Sequence, residues 1–137
     1  MRLAAITAAA LIALTCLPSP AGADDKLPAQ LAGTGSTMRQ SGKITTAPWS
    51  IAIASQDQDG NLKGTMNWSG RACQLSNAPF TGTYRNGVLE ISAPATSAKC
   101  GAWTITLTQS PGAQLLLEGT ARTHGSDNPA AVTLRPR

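Results

Sequence analysis

Apolar and polar residues alternate along short segments from residue 31 onward. In residues 62–69 the even-numbered positions are apolar or glycine and the odd-numbered positions are polar, and 49–55 and 102–110 alternate similarly. A period of two is typical of β-strands with one face in a core and the other in water. The same signals predict eight strands, at 31–40, 49–55, 62–69, 80–85, 88–93, 102–110, 114–123 and 131–135.

The residues between these strands predict how the strands are connected. Asp59-Gly60-Asn61, Asn86-Gly87 and Pro111-Gly112 separate strands 2–3, 4–5 and 6–7. Glycine and asparagine accept the positive φ that tight hairpin turns require. The other connections are predicted to be longer. Tight and long connections then fall at opposite ends of an all-β, antiparallel, up-and-down, eight-stranded β-barrel.

A short motif, an apolar residue, any residue and then Gly-Thr, occurs four times. It begins at Leu31, Leu62, Phe80 and Leu117. Each glycine shares the inward face of the apolar residue two positions before it. Inward glycines allow strands to bend and a barrel to close, and this is the interpretation we favour over clearance for a ligand.

The first residues have the features of a secretory signal peptide. A basic start is followed by an apolar run over 3–17 and by Ala21-Gly22-Ala23. We predict a signal peptide at 1–23, a flexible leader at 24–30 and a single barrel domain at 31–137, in a periplasmic or secreted protein. Cys16 lacks the preceding residues that usually mark a lipid-modified cysteine. No later segment is apolar enough for a membrane span.

Two cysteines follow the predicted signal peptide, Cys73 and Cys100. In an oxidising compartment a lone pair predicts one disulfide bond. Cys73 falls in the connection between strands 3 and 4, and Cys100 falls between strands 5 and 6. Both connections belong to the long-loop end, where the two cysteines can meet. The alternatives are two free thiols or a metal pair.

The hairpin Ser50–Ile53, Asp59-Gly60-Asn61 and Leu62–Met66 resembles the second hairpin of avidin-type barrels. Thr81–Tyr84 and Gly101–Thr104 are similar to later strands of that family. The resemblance implies a small calycin-type barrel, avidin-like or lipocalin-like. Avidin-type proteins usually have Trp after the first Gly-Thr and Tyr after the second, where this chain has Gly35 and Met66. The resemblance therefore implies the fold without the biotin site.

Two groups of side chains map to the predicted long-loop end and form a candidate ligand or partner face. Trp49 and Trp103 either line a ligand mouth or cap the barrel core. The basic group comprises Lys43, Arg71, Lys99, Arg122 and His124. Such a group would attract anionic ligands or an acidic partner surface, unless these are ordinary solvated loop charges. The net charge is +4, and the sequence contains no run of Lys or Arg residues. Both observations argue against nucleic-acid binding.

Candidate catalytic residues are few. His124 lies close to Ser126 and Asp127, but residues this close in one loop rarely form a catalytic triad. Glu90 and Glu118 are predicted to face water from non-neighbouring strands, which does not suit a glycosidase pair. We therefore predict a non-enzymatic binding module without cofactor or metal. Its ligand is expected to be a small apolar or amphiphilic molecule at the open end, or alternatively an extracytoplasmic protein bound by the basic loops.

Overall fold

The computed structural model describes residues 26–38, 41–70, 73–98, 100–124 and 129–137. Each strand pairs antiparallel with the next along the chain, and β8 pairs with β1, so the sheet closes into a barrel. The strands are β1 (Gln30–Met38), β2 (Ile44–Gln56), β3 (Asn61–Ser69), β4 (Gln74–Arg85), β5 (Val88–Ala93), β6 (Trp103–Gln109), β7 (Leu117–Thr123) and β8 (Ala130–Pro136). The predicted all-β, up-and-down, eight-stranded barrel is confirmed, and it is consistent with a calycin-like fold.

The expected alternation of tight and long connections is wrong in part. β2 and β4 begin earlier than predicted, because residues 44–48 continue the ladder with β1 and Gln74 pairs with Ser69. The connections before these two strands are therefore short. The connection 110–116 is longer than a tight turn, since Pro111 and Gly112 interrupt pairing and the Ser110 N–H donates to the Leu116 carbonyl at 2.8 Å.

The assignment of connections to the two ends of the barrel nevertheless holds. We call the end formed by connections 39–43, 70–73, 94–102 and 124–129 the disulfide end. We call the end formed by 57–60, 86–87 and 110–116 the turn end. Antiparallel pairing of consecutive strands requires this division.

The glycines of the four Gly-Thr motifs mark close approaches between neighbouring strands. A Cβ atom at any of them would collide with a backbone carbonyl oxygen of the adjacent strand. The pairs are Gly33 with Thr133, Gly64 with Ala52, Gly82 with Glu90, and Gly119 with Thr106. The space beside each glycine is therefore occupied by backbone. This agrees with the predicted role of these glycines in closing the barrel.

The barrel interior is filled by apolar side chains from all eight strands. Leu31, Met66, Leu89, Ile105 and Leu107 have no exposed surface. Among the described residues, no polar or charged residue is buried. The leader is described from Lys26, and in it Leu27 is buried against the core while its N–H donates to Gln56 Oε1 at 3.0 Å.

The connection between β2 and β3 is ordered by one carboxylate. Asp57 Oδ1 accepts hydrogen bonds from the backbone N–H groups of Asp59 and Asn61, and Oδ2 accepts one from Asn61 Nδ2. The side-chain hydrogen bond from Asn61 is the main reason why the pKa of Asp57 lies below its ordinary value. Arg85 also donates to Asn61 Oδ1, so β4 is attached to the same turn.

Gly119→Ala is expected to destabilise the barrel by about 2 kcal/mol or more, because the methyl group would displace the β6 backbone. Gly101→Ala is the matched control, since its Cβ would lie at an ordinary 3.5 Å from the His124 carbonyl oxygen. Urea unfolding followed by tryptophan fluorescence measures both. Equal stabilities for the two variants would contradict the close-approach role.

Candidate functional site

The disulfide bond joins the two connections that the sequence brings to one end. Cys73 and Cys100 are bonded with their Cα atoms 5.2 Å apart, as predicted. Cys100 is buried, and its N–H donates to Ser97 Oγ at 3.1 Å. The Cys73 carbonyl accepts from the Gly70 N–H at 3.1 Å. The bond therefore holds the β3–β4 and β5–β6 connections together across the disulfide end.

Three tryptophans fill the lumen beside the disulfide end, and we call them the tryptophan cluster. The ring centroids of Trp49 and Trp68 are 4.8 Å apart, and Trp103 packs against them at 5.3 and 6.4 Å. Gly35 provides the necessary room, because a Cβ there would lie 2.8 Å from Trp68 Cζ3. Trp49 and Trp103 are 1% and 7% exposed, so both rings cap the core rather than line an open mouth.

Two polar atoms in the tryptophan cluster have no partner among the described residues. The indole Nε1 atoms of Trp49 and Trp103 are buried and make no hydrogen bond. A buried N–H without an acceptor costs about 1–3 kcal/mol. The sequence predicted both tryptophans as candidate site residues, but it did not show that Trp68 would join them in one cluster.

The described carboxylates are unevenly distributed between the two ends, whereas cations occur at both, with Lys63, Arg85 and Arg135 toward the turn end. Lys43, Arg122 and His124 are exposed at the disulfide end, where the described residues include no carboxylate. Asp57, Asp59 and Glu118 lie at or next to the turn end, and Glu90 lies within β5 on the outer face. The predicted site residues Arg71 and Lys99 lie outside the described residues, as do Ser126 and Asp127.

Two large apolar side chains are exposed at the disulfide end. Met38 and Ile44 are 60% and 61% exposed and lie directly opposite each other in the β1–β2 ladder. The sequence interpretation missed them because strand 2 was predicted to begin at Trp49. Residues 44–48 begin with strand-favouring Ile and Thr, but Pro48 argues against a continuous strand, and only the pairing with β1 decides the assignment.

Two grooves among the described residues lie on the outer wall of the barrel. One of about 770 Å³ crosses β3 to β6 and is lined by outward side chains such as Lys63, Thr83, Glu90 and Thr104. The other, of about 500 Å³, lies over β1 to β4 beside Asn67 and Arg137. Both grooves are open to solvent.

The remaining chemical candidates stay apart in the structure. Glu90 and Glu118 are exposed on β5 and β7, with β6 between them, as predicted. Within the described ranges, no three His, Cys, Asp or Glu side chains are grouped so that they could hold a metal ion. The same residues include no helix of the length and apolarity needed to cross a bilayer.

Comparisons with known proteins give no family assignment: no protein-family model matches the chain, and no curated protein or solved structure matches it. The protein is a closed, disulfide-linked, eight-stranded β-barrel with a filled lumen. The features that bear on its function are the geometry and charge of the disulfide end.

Reduction of Cys73–Cys100 is expected to destabilise the protein by roughly 3–4 kcal/mol, because the open chain regains loop entropy. At roughly 4–8 °C per kcal/mol for a small domain, the melting temperature should fall by well over ten degrees. Cys73→Ser should have the same melting temperature as the reduced wild type, and reductant should not lower the melting temperature of that variant further. Thermal melts monitored by circular dichroism measure all four samples.

Proposed function

We propose that this chain is an exported, non-enzymatic binding protein whose disulfide end docks a protein partner with an acidic surface. The observation that carries the proposal is the filled lumen. Eight-stranded barrels have an interior that side chains either just fill or leave open for one small ligand. With the interior occupied by the protein's own side chains, the exposed disulfide end becomes the better candidate for binding.

The charge distribution supports an acidic partner. Lys43 and Arg122 are exposed at an end where the described residues carry no carboxylate. A surface of one sign accelerates the encounter with an oppositely charged partner and excludes like-charged ones. The exposed side chains of Met38 and Ile44 add apolar contact area next to Lys43.

The disulfide bond supports the export part of the proposal. Disulfide bonds persist in oxidising compartments and are rare in the cytosol. The sequence expectation of a signal peptide at 1–23 agrees with this, although those residues lie outside the described ranges. Together the two observations support the proposal of a periplasmic or secreted location.

Charge reversal at the disulfide end tests the docking proposal. A photo-crosslinking residue is placed at Ala95, which is exposed in the β5–β6 connection. The Lys43→Glu/Arg122→Glu variant is compared with Lys63→Glu/Arg135→Glu, which changes the net charge equally but away from the disulfide end. After export in the native host, we expect the amount of crosslinked protein adduct to fall about tenfold in the first variant and to stay unchanged in the control.

Mass spectrometry identifies the crosslinked partner and shows whether its contacting surface is acidic. Equal loss of adduct in both variants would indicate a non-specific charge effect and contradict the proposal. Absence of any adduct at Ala95 in the wild-type background would contradict it as well.

A second candidate function is supported by the unpartnered indole groups. Trp49 and Trp103 present two buried N–H donors without an acceptor among the described residues. A small amphiphilic molecule with a hydrogen-bond acceptor would satisfy them, with its apolar part against the tryptophan rings. Such a ligand requires the tryptophan cluster to move, because the rings pack directly against each other.

Native mass spectrometry of the protein purified from its exporting host tests this second candidate. A stoichiometric extra mass that is lost on organic extraction, and that is absent from Trp49→Phe, is the expected result. Trp49→Phe keeps an aromatic ring but removes the indole N–H. A bare mass for the wild type would contradict the small-molecule function.

A further inference from the structure

The first residues of β2 extend beyond the strand that should cover them. Residues 44–48 pair with β1 from Met38 to Thr34. The ladder between β2 and β3, however, begins only at Trp49 opposite Trp68. Among the described residues, no strand pairs with the other side of residues 44–48. We call this segment the hairpin edge.

Alternation of the backbone shows which groups of the hairpin edge are unpaired. In an antiparallel strand, successive residues direct their N–H and C=O groups to opposite sides. The Ile53 N–H donates to Ala29 on the β1 side, so the odd-numbered residues before it bond to β1. The N–H groups of Ile44 and Thr46 therefore point away from β1, as do their carbonyl groups.

Pro48 explains why the hairpin edge is left uncovered. Its nitrogen falls on the same side as the N–H groups of Ile44 and Thr46, so the missing donor faces β3 rather than β1. The pairing with β1 keeps its hydrogen bonds, while the ladder with β3 cannot continue through this position. β3 ends at Ser69, and the Gly70 N–H bonds to the Cys73 carbonyl instead.

The chemistry beside the hairpin edge favours one kind of occupant. Lys43 immediately precedes the edge, and Arg122 is exposed at the same end of the barrel. No carboxylate is described at this end, and Ile44 together with Met38 offers exposed apolar surface. A strand that pairs with the hairpin edge would need free backbone N–H and C=O groups. It would also need an apolar side chain near Ile44 and a negative charge near Lys43.

We propose that the hairpin edge binds an extended, acidic segment of the protein partner as an added β-strand. The proposal rests on the proposed docking function and specifies its mode, which is β-augmentation. Main-chain hydrogen bonds would supply affinity, and alternate side chains would supply specificity. The Ile44 and Thr46 N–H and C=O groups form the new ladder, and the Pro48 carbonyl can accept at its inner end.

A second copy of this chain is the less favourable occupant. Two identical disulfide ends would bring like charges together, because the described residues there include Lys43 and Arg122 without carboxylates. Each hairpin edge also lacks one donor at Pro48. Short edges with a lysine and a proline are a common protection against self-pairing.

One backbone substitution with a matched control tests the proposal. Thr46→Pro removes the N–H that faces outward and should leave the bonds to β1 intact. Thr46→Val keeps that N–H, and both variants equally lose the hydroxyl that contacts Ser36 Oγ at 2.9 Å. The probe is a capped peptide of about eight alternating Val and Glu residues, and its Lys-for-Glu counterpart is the charge control.

We expect the acidic peptide to bind the wild type and Thr46→Val equally and Thr46→Pro about tenfold more weakly, as measured by titration calorimetry. Amide hydrogen exchange on the wild type is the second measurement, which does not depend on the proline variant folding. Binding should slow exchange at Ile44 and Thr46 and leave the amides of residues 57–60 unchanged. The basic peptide should bind more weakly.

The remaining outcomes separate this proposal from the docking function. If Lys43→Glu/Arg122→Glu abolishes partner crosslinking but Thr46→Pro does not, docking stands and strand addition is wrong. If the acidic peptide fails to bind the wild type, strand addition is wrong. If sedimentation shows a dimer that Thr46→Pro dissociates, the occupant is a second copy and the acidic segment is excluded.

Discussion

Closure of eight strands around a narrow lumen is the constraint on which the rest of the structure depends. Strands that approach this closely leave no room for a Cβ at four positions, where the motif glycines contact the neighbouring backbone. The resulting interior is wide enough for side chains and is filled by them. A ligand or partner of this protein would therefore contact the outer surface of the barrel, or would have to displace part of the core.

The disulfide end combines a covalent cross-link with two kinds of unpaired polar group. The Cys73–Cys100 bond joins two of its connections, and the tryptophan cluster fills the lumen beside it. Among the described residues, two indole N–H groups lack acceptors and the hairpin edge has no neighbouring strand on its outer side. Unpaired polar groups favour a partner that supplies the missing hydrogen bonds, because a buried donor without an acceptor costs free energy.

The two ends of the barrel differ in how their charged side chains are paired. At the turn end, Asp57 and Arg85 satisfy the backbone and side chains of one tight connection, so their charges are largely used within the protein. At the disulfide end, Lys43 and Arg122 are exposed without a described carboxylate nearby. Charges that are not used internally remain available to a partner, at the cost of sensitivity to salt.

The sequence by itself determined the eight strands, their order, the inward glycines and the meeting of Cys73 with Cys100. Each follows from local patterns: alternation, turn residues, and the parity of connections in a meander. Only the tertiary structure decided that the lumen is full and that Trp68 joins Trp49 and Trp103. It also decided that β2 begins at Ile44, which exposes the hairpin edge. These features depend on contacts between residues that are far apart in the sequence. Local sequence patterns do not specify such contacts.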